Sequence, residues 1–323
     1  MMESVGLPTA TIAIPTYNGA ARIIDVLGAL ALQDARSDTF EVVVVDNNST
    51  DGTSERVQSD PSWEALAERG IERRIVPERR QGLAFGRICG VQSARGKYVC
   101  FLDDDTVPSV SYVQSGIAAL DADPSVGILV SRLSPRYERS VTPAIAKREH
   151  LLAINQRQGA HRIDFGAEPT IAPTIGGGLW VRRSAFLSCI PWETPTAMLP
   201  DRIGDKLVSG NDIEIGFLFG QAGYKRVYCP ELALEHRIPA GRLRTRYFAR
   251  LIDGIVRSEL TLRDRYGIAE YTFASRLKAV GRLGSALVAL PALLARPDGL
   301  RESVFVLASR VAGVRGPFRS KIE

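Results

Sequence analysis

Residues 98–108 read YVCFLDDDTVP. The run Tyr98–Leu102 suits a buried strand, and it ends in three consecutive carboxylates, Asp103, Asp104 and Asp105. Packed carboxylates repel one another and resist desolvation, so a chain that sets them at the end of a core strand needs something positive beside them. Two earlier segments share the arrangement. TATIAI (9–14) leads into PTYNG (15–19), and EVVVV (41–45) leads into DNNSTDG (46–52). In open parallel sheets, ligands bind beyond the carboxyl ends of the strands. The three polar segments therefore belong around one crevice.

The intervening sequence supports such a sheet. Residues 20–33 place apolar side chains at 23, 24, 27, 30 and 31, a helical spacing, which makes the unit strand, helix, strand. A further strand is expected over 72–76 and a helix over 82–94. No GxxxxGK[ST] or GxGxxG follows the first strand, which argues against a P-loop or a dinucleotide fingerprint. The carboxylates offer a different nucleotide site. Asp46 can accept from a base N–H and Asp103 from ribose hydroxyls. Asp105 can ligate a divalent cation bridging a pyrophosphate, and hard oxygen ligands suit Mn²⁺ or Mg²⁺.

Composition sets the outer bounds. A chain of 323 residues with 45% hydrophobic content is globular, neither disordered nor polytopic. Cysteines 89, 100, 189 and 229 are scattered without a CxxC, so they read as reduced core thiols of a cytoplasmic protein and not as zinc ligands. The N-terminal MMESVGLPTA has no charged region followed by an apolar one, and no secretion signal is expected.

The ordered segments IPTYN, VVVVDNNSTDGT and QGLAFGRICGVQSARGKYVCFLDDDTVP closely resemble glycosyltransferase family 2, whose members are inverting enzymes of the GT-A fold. The resemblance covers roughly residues 9–237. It implies an α/β, Rossmann-like, mostly parallel mixed sheet flanked by helices, with DDD standing as the family's DxD motif. It also implies a donor side made by Pro15, Thr16, Tyr17, Asn18, Asp46, Asn48, Arg87, Asp103 and Asp104, with UDP-sugars the favoured donors. Arg87 and Gly90 match the family's RNxG, with Ile88 replacing the usual Asn.

TIGGGLWVRRSAF (174–186) matches the family's glycine-rich strand, and Gly177, Gly178 and Trp180 are expected on the acceptor side, Trp180 by stacking. VSGNDIEIGFLFGQAGYKRVYCPELALEH (208–236) matches the segment that carries the catalytic base. That base falls on Asp212. Asn211 replaces the usual Glu, and Asn211 and Glu214 are expected near the acceptor. His236 falls where the family places a metal-contacting His, beside Asp105. A QxxRW motif and membrane spans, marks of processive members, are absent from the sequence, so a single addition to a glycan, lipid-linked or small-molecule acceptor is expected, as in polysaccharide or glycolipid synthesis. The competing readings are a sugar nucleotidyltransferase, which would show a basic glycine-rich loop where PTYNGAAR stands, and a non-catalytic nucleotide-sugar or glycan-binding protein.

The expected boundary falls at 240/241. Residues 241–323 carry 16 Lys+Arg against 7 Asp+Glu, and the rest of the chain 25 against 29. Apolar residues at 243, 247, 251 and 255, then 277, 280, 283, 287 and 290, then 300, 304, 307, 311 and 314 predict a C-terminal helical extension. Its longest apolar run, ALVALPALLA (286–295), is too short to span a bilayer. These Arg-rich helices read equally as a peripheral membrane surface at the inner face of the cell membrane, or as a pair packing on the catalytic domain or on a second copy in a homo-oligomer. No nucleic-acid motif accompanies the charge.

Overall fold

The computed structural model describes residues 6–171, 174–194, 198–199, 201–202 and 207–318. The chain divides into two compact units. The first comprises residues 1–136, 153–200 and 211–237, and the second comprises residues 137–152, 201–210 and 238–323.

The first unit is built on strands β1 (Ala10–Thr16), β2 (Phe40–Asp46), β3 (Glu72–Pro77), β4 (Tyr98–Phe101), β5 (Thr106–Pro108), β6 (Val126–Tyr137), β7 (Ile163–Asp164), β8 (Leu179–Arg182) and β9 (Lys225–Ile238). Among the described residues they form one mixed sheet in the order β3-β2-β1-β4-β8-β6-β9-β5, with β7 on β9. β1 pairs in parallel with β2 and with β4, and β2 in parallel with β3. The β4–β8, β6–β8 and β5–β9 pairs are antiparallel. The register sets Thr16 level with Asp46, so PTYNG and DNNSTDG leave the sheet side by side.

Helices α1 (Ile23–Ala31), α2 (Thr53–Gln58), α3 (Pro61–Glu68), α4 (Leu83–Ser93) and α5 (Tyr112–Ala122) flank the sheet, followed, after the short α6 (Pro143–Ala146) of the second unit, by α7 (Arg183–Cys189) and α8 (Asn211–Gln221). α1 begins later than its periodicity predicts because residues 19–22 form a turn, with the Arg22 and Ile23 amides both donating to the Gly19 carbonyl. β1 is buried along its whole length, as a strand between two parallel neighbours must be. α4 lies unusually close to it. A Cβ on Gly90 would stand 2.9 Å from the Ala13 Cβ, and one on Gly86 would stand 3.0 Å from the Pro15 Cβ. Two small residues one turn apart thus press the helix onto the strand. Ile88, where a polar residue was the family expectation, is buried in the core with Val91 and Phe101.

The second unit is mainly helical: α9 (Thr245–Arg265), α10 (Phe273–Val288), α11 (Leu290–Leu294) and α12 (Gly299–Arg315). Phe248 of α9 and Phe305 of α12 pack with ring centroids 5.0 Å apart. Among the described residues no helix is long and apolar enough to cross a membrane.

One buried charge ties the first unit's sheet together. Glu41 on β2 is fully buried and accepts from the Thr11 hydroxyl at 2.7 Å, from Arg74 at 2.7 Å, and from the Arg95 amide and guanidinium, both at 2.8 Å. Burial raises its pKa, but the donors from Arg74, Thr11 and Arg95 outweigh burial and bring it down to about 2. A depressed carboxylate contributes stability above its ordinary value of 4.5 and loses it as the pH falls toward 2. Glu41→Gln should therefore cost about 3 kcal/mol at neutral pH in denaturant melts, with a shallower loss of stability on acidification than the wild type.

Candidate active site

The acidic run sits in a tight turn between β4 and β5. The Thr106 amide and hydroxyl both close on the Asp103 carbonyl, at 3.1 and 2.9 Å. The three carboxylates then part company. Asp104 turns inward, where Arg22 grips it through Nε at 3.1 Å and Nη2 at 2.9 Å and the Thr16 hydroxyl donates at 2.6 Å. Arg22 also donates to the carbonyls of Tyr17 and Asn18, at 3.3 and 3.0 Å, so one guanidinium gathers the first loop onto the acidic turn. Asp104 was expected at the donor. Both its oxygens are instead committed to Arg22 and Thr16, which makes it a support of the crevice wall.

Asp105 lies against His236. β5 and β9 pair with Thr106 opposite His236, and the His236 Nε2 stands 3.5 Å from the Asp105 Oδ1, both side chains nearly buried. Asp103 is partly exposed. Burial pushes its carboxyl up to about 6, against the pull of the Arg87 guanidinium, and the nearby Asp105 adds to the rise. A buried carboxyl beside a second carboxylate is well suited to a cation, which offsets the charge that burial and the neighbour disfavour. Among the described residues no cluster of three or more His, Cys, Asp or Glu forms a closed metal cage. The residues present fit a half-site instead. One carboxylate and one imidazole leave the remaining coordination to water and to ligand phosphate oxygens, a common arrangement at nucleotide phosphates.

Across the crevice floor, α4 delivers Arg87, which is 2% exposed. Its Nη1 donates to the Asn211 Oδ1 at 3.1 Å, and a Cβ on Gly176 would stand 2.1 Å from its Nη2. The Gly176 amide donates to the Asp212 Oδ2 at 2.8 Å, at the start of α8. A side chain at Gly176 would therefore displace the Arg87 guanidinium beside Asp212. A Cβ on Gly177 would stand 3.1 Å from the Asp103 Oδ2. Arg87, Asp103 and Asp212 thus converge on one glycine turn.

The loops of the first two strands are stitched to each other. The Asn18 Oδ1 accepts from the Thr50 amide at 2.8 Å, and the Asn18 amide donates to the Ser49 hydroxyl at 3.0 Å. Asn18 and Asn48 adopt left-handed backbone, with φ of 49° and 67°, which asparagine tolerates better than most residues. Asp46 accepts from the Ser49 amide at 2.9 Å and from the Ser54 hydroxyl. Asp46 and Asn18 remain partly accessible, and Tyr17 and Asn48 are exposed.

Several expected contacts lie below the surface. Trp180 is fully buried, its ring tilted on Tyr112 at 5.8 Å and pressed against Gly116, so it presents no face to an acceptor. Glu214 is also fully buried, accepting from the Leu199 amide at 2.6 Å. Asn211 is 2% exposed, with its amide shared between Arg87 and the Leu199 carbonyl. Gly177 is buried, and Gly178 is too, with φ of 72° and a carbonyl accepting from Ser131 at 2.6 Å. The residues expected on the acceptor side are thus the site's floor. Pro15 and Thr16 are likewise buried.

Sequence reasoning missed Arg22, Gly176 and Asn47. The Asn47 side chain donates to the carbonyls of Glu78 and Arg80, at 3.1 and 2.7 Å, and accepts from the Gly82 amide at 2.7 Å, fixing the entry to α4. Asn47 lay inside a quoted motif, but nothing in the linear sequence separated it from Asn48.

If Asp104 is a wall support, Arg22→Gln should destabilise the fold by about 1–3 kcal/mol, and Asp104→Asn in that background should recover part of the loss. A double-mutant cycle by chemical denaturation measures it.

The sequence profile of glycosyl transferase family 2 matches residues 11–189. A curated relative, glycosyltransferase AglE of Haloferax volcanii, is 30% identical over 194 residues, 55% of this chain and 62% of its own length. Validoxylamine A glucosyltransferase of Streptomyces hygroscopicus subsp. jinggangensis is 36% identical over 115 residues, 35% of this chain and 26% of its own length. The matches thus span less than two thirds of these relatives. The structure of the mannosyltransferase PcManGT from Pyrobaculum calidifontis, in complex with GDP-Man and Mn²⁺, superimposes with a TM-score of 0.62 at 20% identity, covering 96% of this chain and 88% of that one. The mixed sheet and its flanking helices are accordingly of the GT-A type, and the chain belongs to glycosyl transferase family 2.

Proposed function

We propose that the chain is an inverting, metal-dependent glycosyltransferase that moves one sugar from a nucleotide diphosphate, with UDP-sugars favoured, to an acceptor hydroxyl. The observation that carries this reading is the convergence of Arg87, Asp103 and Asp212 on Gly176 and Gly177, beside the Asp105–His236 pair. A nucleotide pocket alone would require neither an oriented Asp212 nor a buried arginine next to it.

In this reading Asp46 accepts from the base, Asp103 from the ribose hydroxyls, and Tyr17, Asn18 and Asn48 border the nucleoside. Asp105 and His236 would hold Mn²⁺ or Mg²⁺, which supplies charge neutralisation to the departing diphosphate. The PcManGT complex with Mn²⁺ supports a divalent cation in a fold of this kind. Arg87 adds positive charge on the floor and, through Asn211, braces the start of α8. Asp212, with one carboxylate oxygen fixed by the Gly176 amide, takes the proton from the acceptor hydroxyl. The hydroxyl oxygen then forms its bond to the anomeric carbon on the face opposite the diphosphate. The bond to the diphosphate breaks, the electron pair leaves with the nucleotide, and the anomeric configuration inverts.

The test is nucleotide release from a panel of UDP-, GDP- and dTDP-sugars with Mn²⁺. Turnover of one donor is expected, and Asp212→Asn should lower kcat by about 10²–10⁴-fold while nucleotide affinity stays within about twofold. Equal turnover by Asp212→Asn would remove the base from Asp212. Donor binding without release, even with a panel of glycan and lipid-linked acceptors, would make the chain a nucleotide-sugar-binding protein.

A further inference from the structure

Helix α10 carries two apolar faces, and only one is used. Its small side chains, Ala279 and Ala286 among them, face α12: a Cβ on Gly313 of α12 would touch the Ala279 Cβ at 3.8 Å, and Ala286 is 8% exposed. Tyr271, just before the helix, donates to the carbonyls of Gly313 and Val314 and pins this end onto α12. The other face is bare. Phe273 is 83% exposed, Leu277 61%, Val280 47%, Leu287 51% and Val288 84%. Phe273, Leu277, Val280 and Leu287 follow one another at intervals of four, three and seven residues and Val288 lies beside Leu287, so all five share one stripe of the helix; Leu294 of α11 is 48% exposed. A contiguous apolar surface of this kind marks an interaction site.

The charge around the stripe selects the partner. From 271 to 297 the sequence carries Arg276, Lys278, Arg282 and Arg296 and no Asp or Glu. A groove of about 360 Å³ between α9, α10 and α12 is lined by Lys278, Arg282, Arg310 and Arg263, with Glu270 its one acidic side chain. Arg263 pairs with Glu259 at 2.9 Å. Lys278, Arg282 and Arg310 have no acidic partner among the described residues. An apolar protein partner would fill the stripe and leave these cations bare. A bilayer with anionic headgroups suits both features, because acyl chains accept the stripe and the negative surface potential attracts the cations on the helix's polar face. The helix is too short and too charged to cross the bilayer, so it would lie in the interface plane.

We propose that α10 docks this chain in-plane on an anionic membrane, with Phe273, Leu277, Val280, Leu287 and Val288 at the acyl boundary and Arg276, Lys278 and Arg282 of the same helix drawn to the surface by its negative potential. This inference does not depend on the chemistry of the first unit. The experiment is co-sedimentation of the full chain with vesicles of phosphatidylcholine alone and with about one third phosphatidylglycerol, each cation near the surface being worth about a fivefold gain. Partitioning onto the anionic vesicles should exceed that onto neutral ones by about tenfold or more. Leu277→Asp with Leu287→Asp should lose about tenfold or more, and Lys278→Gln with Arg282→Gln about twentyfold on anionic vesicles only. Because all four side chains project from the helix surface, thermal melts of the variants should match the wild type. Should the Asp variant unfold, the Gln variant still decides. Equal sedimentation with both vesicle types, no sedimentation with either, or a dimer in light scattering that Leu277→Asp dissociates would each overturn the proposal.

Discussion

The architecture of the site depends on how three adjacent carboxylates are kept apart in a poorly solvated turn. Repulsion among Asp103, Asp104 and Asp105 is relieved by sending the middle one the other way, into the grip of Arg22 and Thr16. That single ion pair has two effects. It neutralises the Asp104 carboxylate, and it draws the Tyr17 and Asn18 carbonyls onto the same guanidinium. The loop after β1 and the acidic turn are therefore positioned by one contact. Asp103 and Asp105 remain neighbours; burial first, and then the repulsion from Asp105, push the carboxyl of Asp103 up to about 6 against the pull of Arg87. A cation would relieve that repulsion directly.

The opposite wall follows from close packing. Gly86 and Gly90 let α4 settle on β1, and the same helix then carries Arg87 under the glycine turn at 176–178. Asn47, from the loop after β2, fixes where α4 begins. Each half of the crevice is thus held by hydrogen bonds and close packing within the chain, so the groups at its surface are oriented in advance. Such orientation lowers the reorganisation needed when charge develops on a leaving group.

Much of the sheet was legible in the sequence because its signals are local. The apolar runs 9–14, 41–45 and 98–102 end in polar segments, and a parallel sheet brings such ends together without further information. The pairing of Asp105 with His236 was also legible, through the resemblance of the 208–236 segment. The burial that the sequence did not show has a shared cause. Trp180, Asn211, Glu214 and Asp104 are polar or aromatic residues inside motifs, and motif membership does not state which way a side chain turns. Their burial depends on partners 12 to 82 residues or more away in sequence, such as Leu199, Tyr112 and Arg22. The helical spacing of the C-terminal region likewise predicted its elements, but two apolar faces on α10 cannot be ranked without knowing which one α12 covers.

The account rests on Asp105 and His236 forming half of a cation site that a nucleotide completes. Its most direct test is calorimetric titration of UDP and GDP into the protein with and without Mn²⁺, for the wild type and for Asp105→Asn. The account predicts that Mn²⁺ raises the affinity of one nucleotide by about tenfold or more and that Asp105→Asn abolishes this gain while leaving metal-free binding nearly unchanged. Nucleotide binding that ignores Mn²⁺, or an Mn²⁺ gain that survives Asp105→Asn, would contradict it.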